Sequence, residues 1–134
     1  MSEENVELVR SIYARWERGD YGMADWARPE IELVMADGPV VGTWTGLAGL
    51  AEATRDVLGA LEDARIEAES FRDLDNGRVL VLSRFTGRGK SSGVDIAEVR
   101  AKGASVFELQ DGKVTRHTFC FDRDRALADL GLEE

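Results

Sequence analysis

The sequence predicts an α+β domain, with helices packed on one face of a curved, mainly antiparallel sheet. Three observations predict it. Apolar residues in the first half recur at three- and four-residue spacing, the period of a helix with one buried face. Beyond about residue 61 the period falls to two, the period of a strand. The second half is also punctuated by Asn76-Gly77 and Asp111-Gly112, dipeptides that tolerate the positive φ angles of tight hairpins. Helices followed by a meander of strands pack as layers about one core. At 134 residues the chain is expected to form one domain, 1–134, large enough to bury a core.

Residues 3 to 18 read as the first helix, with Val6, Val9, Ile12, Tyr13 and Trp16 on one face. Glu3 and Glu4 in its first turn and Arg15 and Arg18 in its last suit the helix dipole, and Gly19 stops it. A helical turn is expected around Tyr21 to Ala27, ended by Pro29. Glu30 to Ala36 alternates as a strand, with Ile31, Leu33 and Met35 on one side. Thr45 is placed to cap a second helix from Gly46 to Leu61, with the stripe Leu47, Leu50, Ala51, Thr54, Leu58 and Leu61. Strands follow at Arg65 to Leu74 and Arg78 to Thr86. The Val79-Leu80-Val81-Leu82 run is apolar on both faces, which suits a central strand. Val94 to Leu109 reads as the next strand, bulged at Gly103, then Val114 to Phe121. A short helix from Arg123 to Leu130 ends at Gly131.

Composition excludes several functions. Twenty-six acidic against 17 basic residues give a formal charge of -9, the wrong sign for a nucleic acid or an anionic membrane surface. One histidine and one cysteine supply no zinc set and no disulfide within the chain, so no metal is expected and a reduced, cytoplasmic location is. The acidic N-terminus does not read as a secretory signal, and no apolar run reaches the ~20 residues of a membrane-spanning helix. Gly87-Arg88-Gly89-Lys90-Ser91 lacks both the leading glycine and the following helix of a phosphate loop, so it reads as a hairpin loop.

The last hairpin decides where the single histidine points. A two-residue Asp111-Gly112 loop sets His117 opposite Val106 and mixes polar and apolar residues on both faces. A three-residue loop, Gln110-Asp111-Gly112, sets His117 opposite Ser105 and sorts Ser105, Phe107, Leu109, His117, Phe119 and Phe121 onto one face. Hydrophobic sorting selects the longer loop. His117 and Ser105 are then expected side by side on an apolar face.

Several segments carry a family resemblance. They are Val9 to Trp16 closed by Gly19-Asp20, Pro29-Glu30-Ile31-Glu32, and Gly42-Thr43-Trp44-Thr45-Gly46. Gly87-Arg88-Gly89, Ser92-Gly93-Val94, Asp111-Gly112-Lys113-Val114 and Phe121-Asp122-Arg123 followed by Ala126-Leu127 complete the set. In this order and spacing, over nearly the whole chain, they resemble the SnoaL-like group of the nuclear transport factor two superfamily, which also holds the ketosteroid isomerases. The resemblance implies a cone-shaped domain, a strongly curved sheet around an apolar pocket, and pairing as a homodimer. It also implies activities from isomerase, cyclase, dehydratase and hydrolase to plain binding. The isomerases' catalytic Asp falls at about Val34, their protonated Asp at about Ser105, and their helix-one Tyr at Ile12 or Tyr13. Both carboxylates of that mechanism are therefore missing.

His117 is the one side chain whose ordinary pKa lies near neutrality, which makes it the candidate acid or base, with Ser105 beside it. Tyr13, Trp16, Trp26, Val34, Trp44, Arg84, Phe107 and Phe119 are expected to line the pocket, with Trp44 in a loop. Arg84 and Glu98 can face either side of their strands. Cys120 is read as structural, on a polar outer face. The expected ligand is a small apolar or aromatic molecule. An enzyme of this kind would do acid/base chemistry without a metal or organic cofactor. The competing expectation is a dimerisation module with a vestigial pocket.

Overall fold

The computed structural model describes residues 2–20, 25–37, 41–89 and 98–132. Its elements are α1 (Ser2–Glu17), β1 (Ala27–Met35), β2 (Gly42–Thr45), α2 (Gly46–Ala60), β3 (Leu61–Asp75), β4 (Arg78–Gly89), β5 (Glu98–Gln110), β6 (Lys113–Cys120) and α3 (Arg123–Asp129). The six strands form one curved, unclosed sheet in the order β2-β1-β6-β5-β4-β3. Neighbours are antiparallel except β1 and β6, which run parallel. The α+β class is as the periodicities predict.

Alternation along the central strands separates two cores. Val79 and Val81 of β4 join Phe107 of β5 and Val114 and Phe119 of β6 beneath Val9, Ile12 and Tyr13 of α1. We call this the inner face; α2 adds Leu50 to it. Leu80 and Ala104 point the other way and pack under Ala126 and Leu127 of α3. The apolar run in β4 thus reflects a strand covered on both sides, and α3 lies on the face opposite α1. Cys120 joins the α3 cluster, so its stretch of the outer face is apolar rather than polar. Burial, then the nearby Asp37, raise its thiol pKa.

Other boundaries differ from expectation for local reasons. The helical turn expected around Tyr21 to Ala27 falls partly outside the described residues, and Ala27 opens β1 with Pro29 inside the strand. A register shift between Ala27 and Glu32 spares Pro29 a place in a regular ladder. On α2, Leu50, Ala53 and Thr54 turn inward, while Leu47 is 43% exposed and Ala51 is also exposed. Gly103 makes no bulge, since β4 and β5 pair without a shift from Arg78↔Glu108 to Arg88↔Glu98. Its role is close approach: a Cβ there would lie 2.7 Å from the Cys120 carbonyl oxygen.

The last hairpin corrects the expected register. Gln110 pairs with Lys113, so the loop is the two-residue Asp111-Gly112, with φ of 51° and 76°. The register then shifts, because Leu109 pairs with Val114 but Glu108 pairs with Arg116. Thr115 is the extra residue, and its hydroxyl donates to the Glu108 carbonyl at 3.1 Å. The bulge lets Val114 and His117 both face inward, which no regular hairpin allows across an odd spacing. His117 therefore sits opposite Phe107, and Ser105 opposite Phe119.

One polar group anchors α3. Arg123 is 6% exposed; its Nε donates to Gly103 O at 3.3 Å, and its Nη2 donates to Ser83 O at 2.9 Å and to Glu69. That hydrogen bond, against partial burial, holds the Glu69 carboxyl below its usual range. Arg123→Met keeps the aliphatic stem but removes the donors to two buried carbonyls, while Glu69 retains Arg84 at 3.3 Å. The expected loss is about 2–4 kcal/mol in urea unfolding, and Arg123→Lys should recover less than half of it, because ammonium lacks the planar fork.

Candidate functional site

The inner face carries a row of side chains set by register. Trp44, Leu33, His117, Phe107 and Val79 are successive cross-strand partners on β2, β1, β6, β5 and β4. Phe119, Ser105 and Val81 form the next row toward the end of β6. His117 and Ser105 therefore share the face as diagonal neighbours, roughly 7–8 Å apart at the backbone, rather than as a facing pair. Tyr13 comes down on them from α1.

Aromatic rings enclose His117. Phe107 stacks on it at 4.0 Å and 12°, Trp16 lies at 6.0 Å and 28°, and Phe119 meets it edge-on at 6.3 Å. Tyr13 touches Trp16 and Phe107 at 5.0 and 5.8 Å. This aromatic shell gives the imidazole 4% exposure and leaves neither ring nitrogen a hydrogen-bond partner among the described residues. Burial alone pushes the His117 pKa down to about 3, so the imidazole is neutral at pH 7. It is thus strongly perturbed, whereas the composition pointed to an ordinary group titrating near neutrality.

Three hydroxyls share its situation. Tyr13, Ser105 and Ser83 are each no more than 1% exposed, and each hydroxyl oxygen is without a hydrogen bond of normal geometry among the described residues. Burial raises the Tyr13 pKa, and the Ser105 hydroxyl works against it, so those two groups face each other without closing a good bond. A buried polar group left unpaired costs about 1–3 kcal/mol. Four such residues lie on one apolar face, where each unpaired group calls for an explanation. Ser83 escaped the sequence reading; its signal was its place two residues beyond Val81, on the inward parity of a strand apolar on both faces.

The remaining candidates divide. Trp26 is buried beside Trp16, with ring centroids 6.1 Å apart. Trp44 is half-buried in the edge strand β2, not in a loop. Val34 pairs with Thr118, one residue out of step with Leu33 and His117, and so belongs to the outer face. Arg84 is also off the inner face: it is exposed and pairs with Glu69. The alternation that turns Ser83 and Phe85 inward turns Arg84 out. The Glu98 side chain lies outside the described residues. Neither the nucleophilic Ser–His hydrogen bond nor a cluster of groups that could hold a metal is present among the described residues.

Two sizeable clefts are among those on the described surface. One, of about 900 Å³, runs between the start of α1 and the two hairpin turns; Glu4, Asp73, Asp75 and Asp111 make it acidic, and none of the four inward polar groups lines it. The other, of about 620 Å³, lies between the end of α1 and β3 and is lined by Trp16.

The SnoaL-like domain family matches residues 9–117, most of the chain. The chain belongs to that family. No functionally curated protein matches it. Among solved structures, TerC co-crystallised with polyporic acid is 26% identical, with a TM-score of 0.71 over 95% of this chain and 97% of its own. An NTF2-like protein of unknown function from Burkholderia pseudomallei is 20% identical, with a TM-score of 0.75 over 93% and 95%. A putative SnoaL-like polyketide cyclase from Jannaschia is 21% identical, with a TM-score of 0.67 over 88% and 85%. The last two likenesses establish the fold. As in those relatives, this SnoaL-like chain has a curved sheet in the nuclear transport factor two-like arrangement, and no described helix is long and apolar enough to cross a membrane.

The depressed His117 pKa makes stability depend on acid. Unfolded, His117 takes up a proton below about pH 6.5; folded, it does so only near pH 3. The unfolded state therefore binds more protons between those values, and stability falls with falling pH by up to about 1.4 kcal/mol per unit. Urea midpoints measured from pH 7 to 5 should decline more steeply for the native chain than for His117→Phe, which lacks the titrating group. Parallel curves would mean that His117 titrates normally in the folded state.

Proposed function

We propose that the inner face binds a small apolar or aromatic molecule bearing an oxygen function, held by His117, Ser105 and Tyr13. One observation carries this reading: buried polar atoms without partners converge from α1, β5 and β6 within a wall of aromatic rings. Phe107, Phe119, Trp16 and Trp26 supply the apolar contact, and Trp44 extends the row at the edge of the sheet. A ligand oxygen would give the unpaired groups the partner they lack, so binding would relieve a cost carried by the free protein. The co-crystallisation of TerC with polyporic acid supports the ligand class.

The same reading assigns acid/base chemistry, of isomerase, cyclase, dehydratase or epoxide-opening type, with no metal or organic cofactor. Neutral His117 would first accept or donate a hydrogen bond at the substrate. As charge develops there, its basicity would rise, and His117 would move the proton while Ser105 or Tyr13 held the oxygen. Residues 1–134 would act as one domain, paired as a homodimer in the cytoplasm. The rival reading, a dimerisation module with a vestigial pocket, draws on the close Phe107–His117 stack, which leaves little room beside the imidazole.

Titration with polyporic acid and with the uncharged fluorophore N-phenyl-1-naphthylamine separates these readings. Both probes should bind the native chain. His117→Phe and Ser105→Ala should each weaken polyporic acid at least tenfold, about the worth of one hydrogen bond to a buried group, and leave the fluorophore within about twofold. Failure of both probes to bind, with the dimer intact by analytical ultracentrifugation, would favour the module.

A further inference from the structure

Of the three rings around His117, Trp16 also reaches the surface. Phe107 is in stacking contact at 4.0 Å, whereas the Trp16 centroid stands at 6.0 Å and its plane is tilted by 28°. Trp16 occupies the last turn of α1 and is only half-buried. Its outer side lines the cleft of about 620 Å³, a volume within the ~300–1,000 Å³ range of small-molecule sites.

The cleft has a consistent chemistry. Trp16, Ile66 and Ala68 are its apolar lining residues, and Ile66 is 7% exposed. Glu17, Arg18, Arg65 and Glu67 are the charged residues that line it, two of each sign, so they present no net charge to an incoming molecule. Its walls are joined where the Glu17 carboxylate accepts the Ala68 backbone N–H at 3.1 Å. Ala68 lies where β3 shifts register on the open edge of the sheet, which frees that N–H for the helix end. The bond holds the helix terminus against the strand, and the indole stands between this cleft and the buried imidazole.

We propose that an aromatic ligand enters by this cleft, first lying on the outer side of Trp16 and then passing to His117 as the indole turns aside. This rests on the reading of the inner face as the binding site. It adds a route and a gating residue. The looser spacing on the Trp16 side of His117 makes that flank the one that can open, while Phe107 remains as the fixed platform. The sheet backs the site on the side away from α1.

Stopped-flow binding of N-phenyl-1-naphthylamine tests the route, because this probe does not depend on hydrogen bonds to His117. Trp16→Ala should raise the association and dissociation rate constants together, each about tenfold or more, with a smaller change in Kd. Ala68→Trp, which fills the cleft without touching His117, should slow association at least tenfold. Circular dichroism shows whether each variant folds; should Ala68→Trp fail to, Trp16→Ala alone decides. Unchanged association rates in the folded variants would overturn the route and leave the binding site standing. Absence of binding to the native chain would overturn both.

Discussion

The parallel pairing of β1 with β6 is the contact on which the arrangement of the inner face depends. It joins the early part of the chain to its last strand and sets Leu33 beside His117 and Met35 beside Phe119. On β6, the Thr115 bulge against β5 brings His117 and Phe119 onto the same face as Val114. Asp37, just beyond β1, then accepts the backbone N–H groups of Phe121 and Asp122. That fastening fixes where β6 ends and where α3 begins, with Asp122 as the helix cap.

From this register follows the unusual electrostatics of the site. A neutral imidazole and three hydroxyls occupy a face otherwise built of aromatic and aliphatic side chains, and α1 seals it from above. Desolvation acts on His117 and Tyr13 in opposite senses, lowering one pKa and raising the other, because it disfavours whichever form is charged. Both groups are thereby held uncharged over the ordinary pH range. The face offers hydrogen bonds without formal charge, which suits a ligand that presents oxygen atoms on an apolar frame.

The outer face is organised around Arg123 rather than around aromatic packing. Its guanidinium reads two strand carbonyls and Glu69 at once, tying α3 across β4 and β5. Gly103 has no side chain where a Cβ would press on the Cys120 carbonyl, and its own carbonyl accepts one of the Arg123 bonds. A last helix of only seven residues is thus held by specific polar contacts as well as by Ala126 and Leu127.

Much of this was legible in the residues themselves. Strand alternation identified β4 as central and sorted Ser105, Phe107, His117 and Phe119 onto one face, because inward parity follows from solvent exclusion alone. The single histidine stood out as the candidate acid or base, since no other side chain titrates near neutrality unperturbed. Register was beyond the sequence: the Thr115 bulge depends on burying Val114 and His117 together, and local turn chemistry at Asp111-Gly112 is indifferent to that. The faces of Val34 and Arg84 likewise followed from pairing, because each lies one residue from an inward neighbour on its strand. The count of one histidine named the candidate; only the tertiary structure, by closing Phe107 and Trp16 around it, decided that it is a buried neutral group.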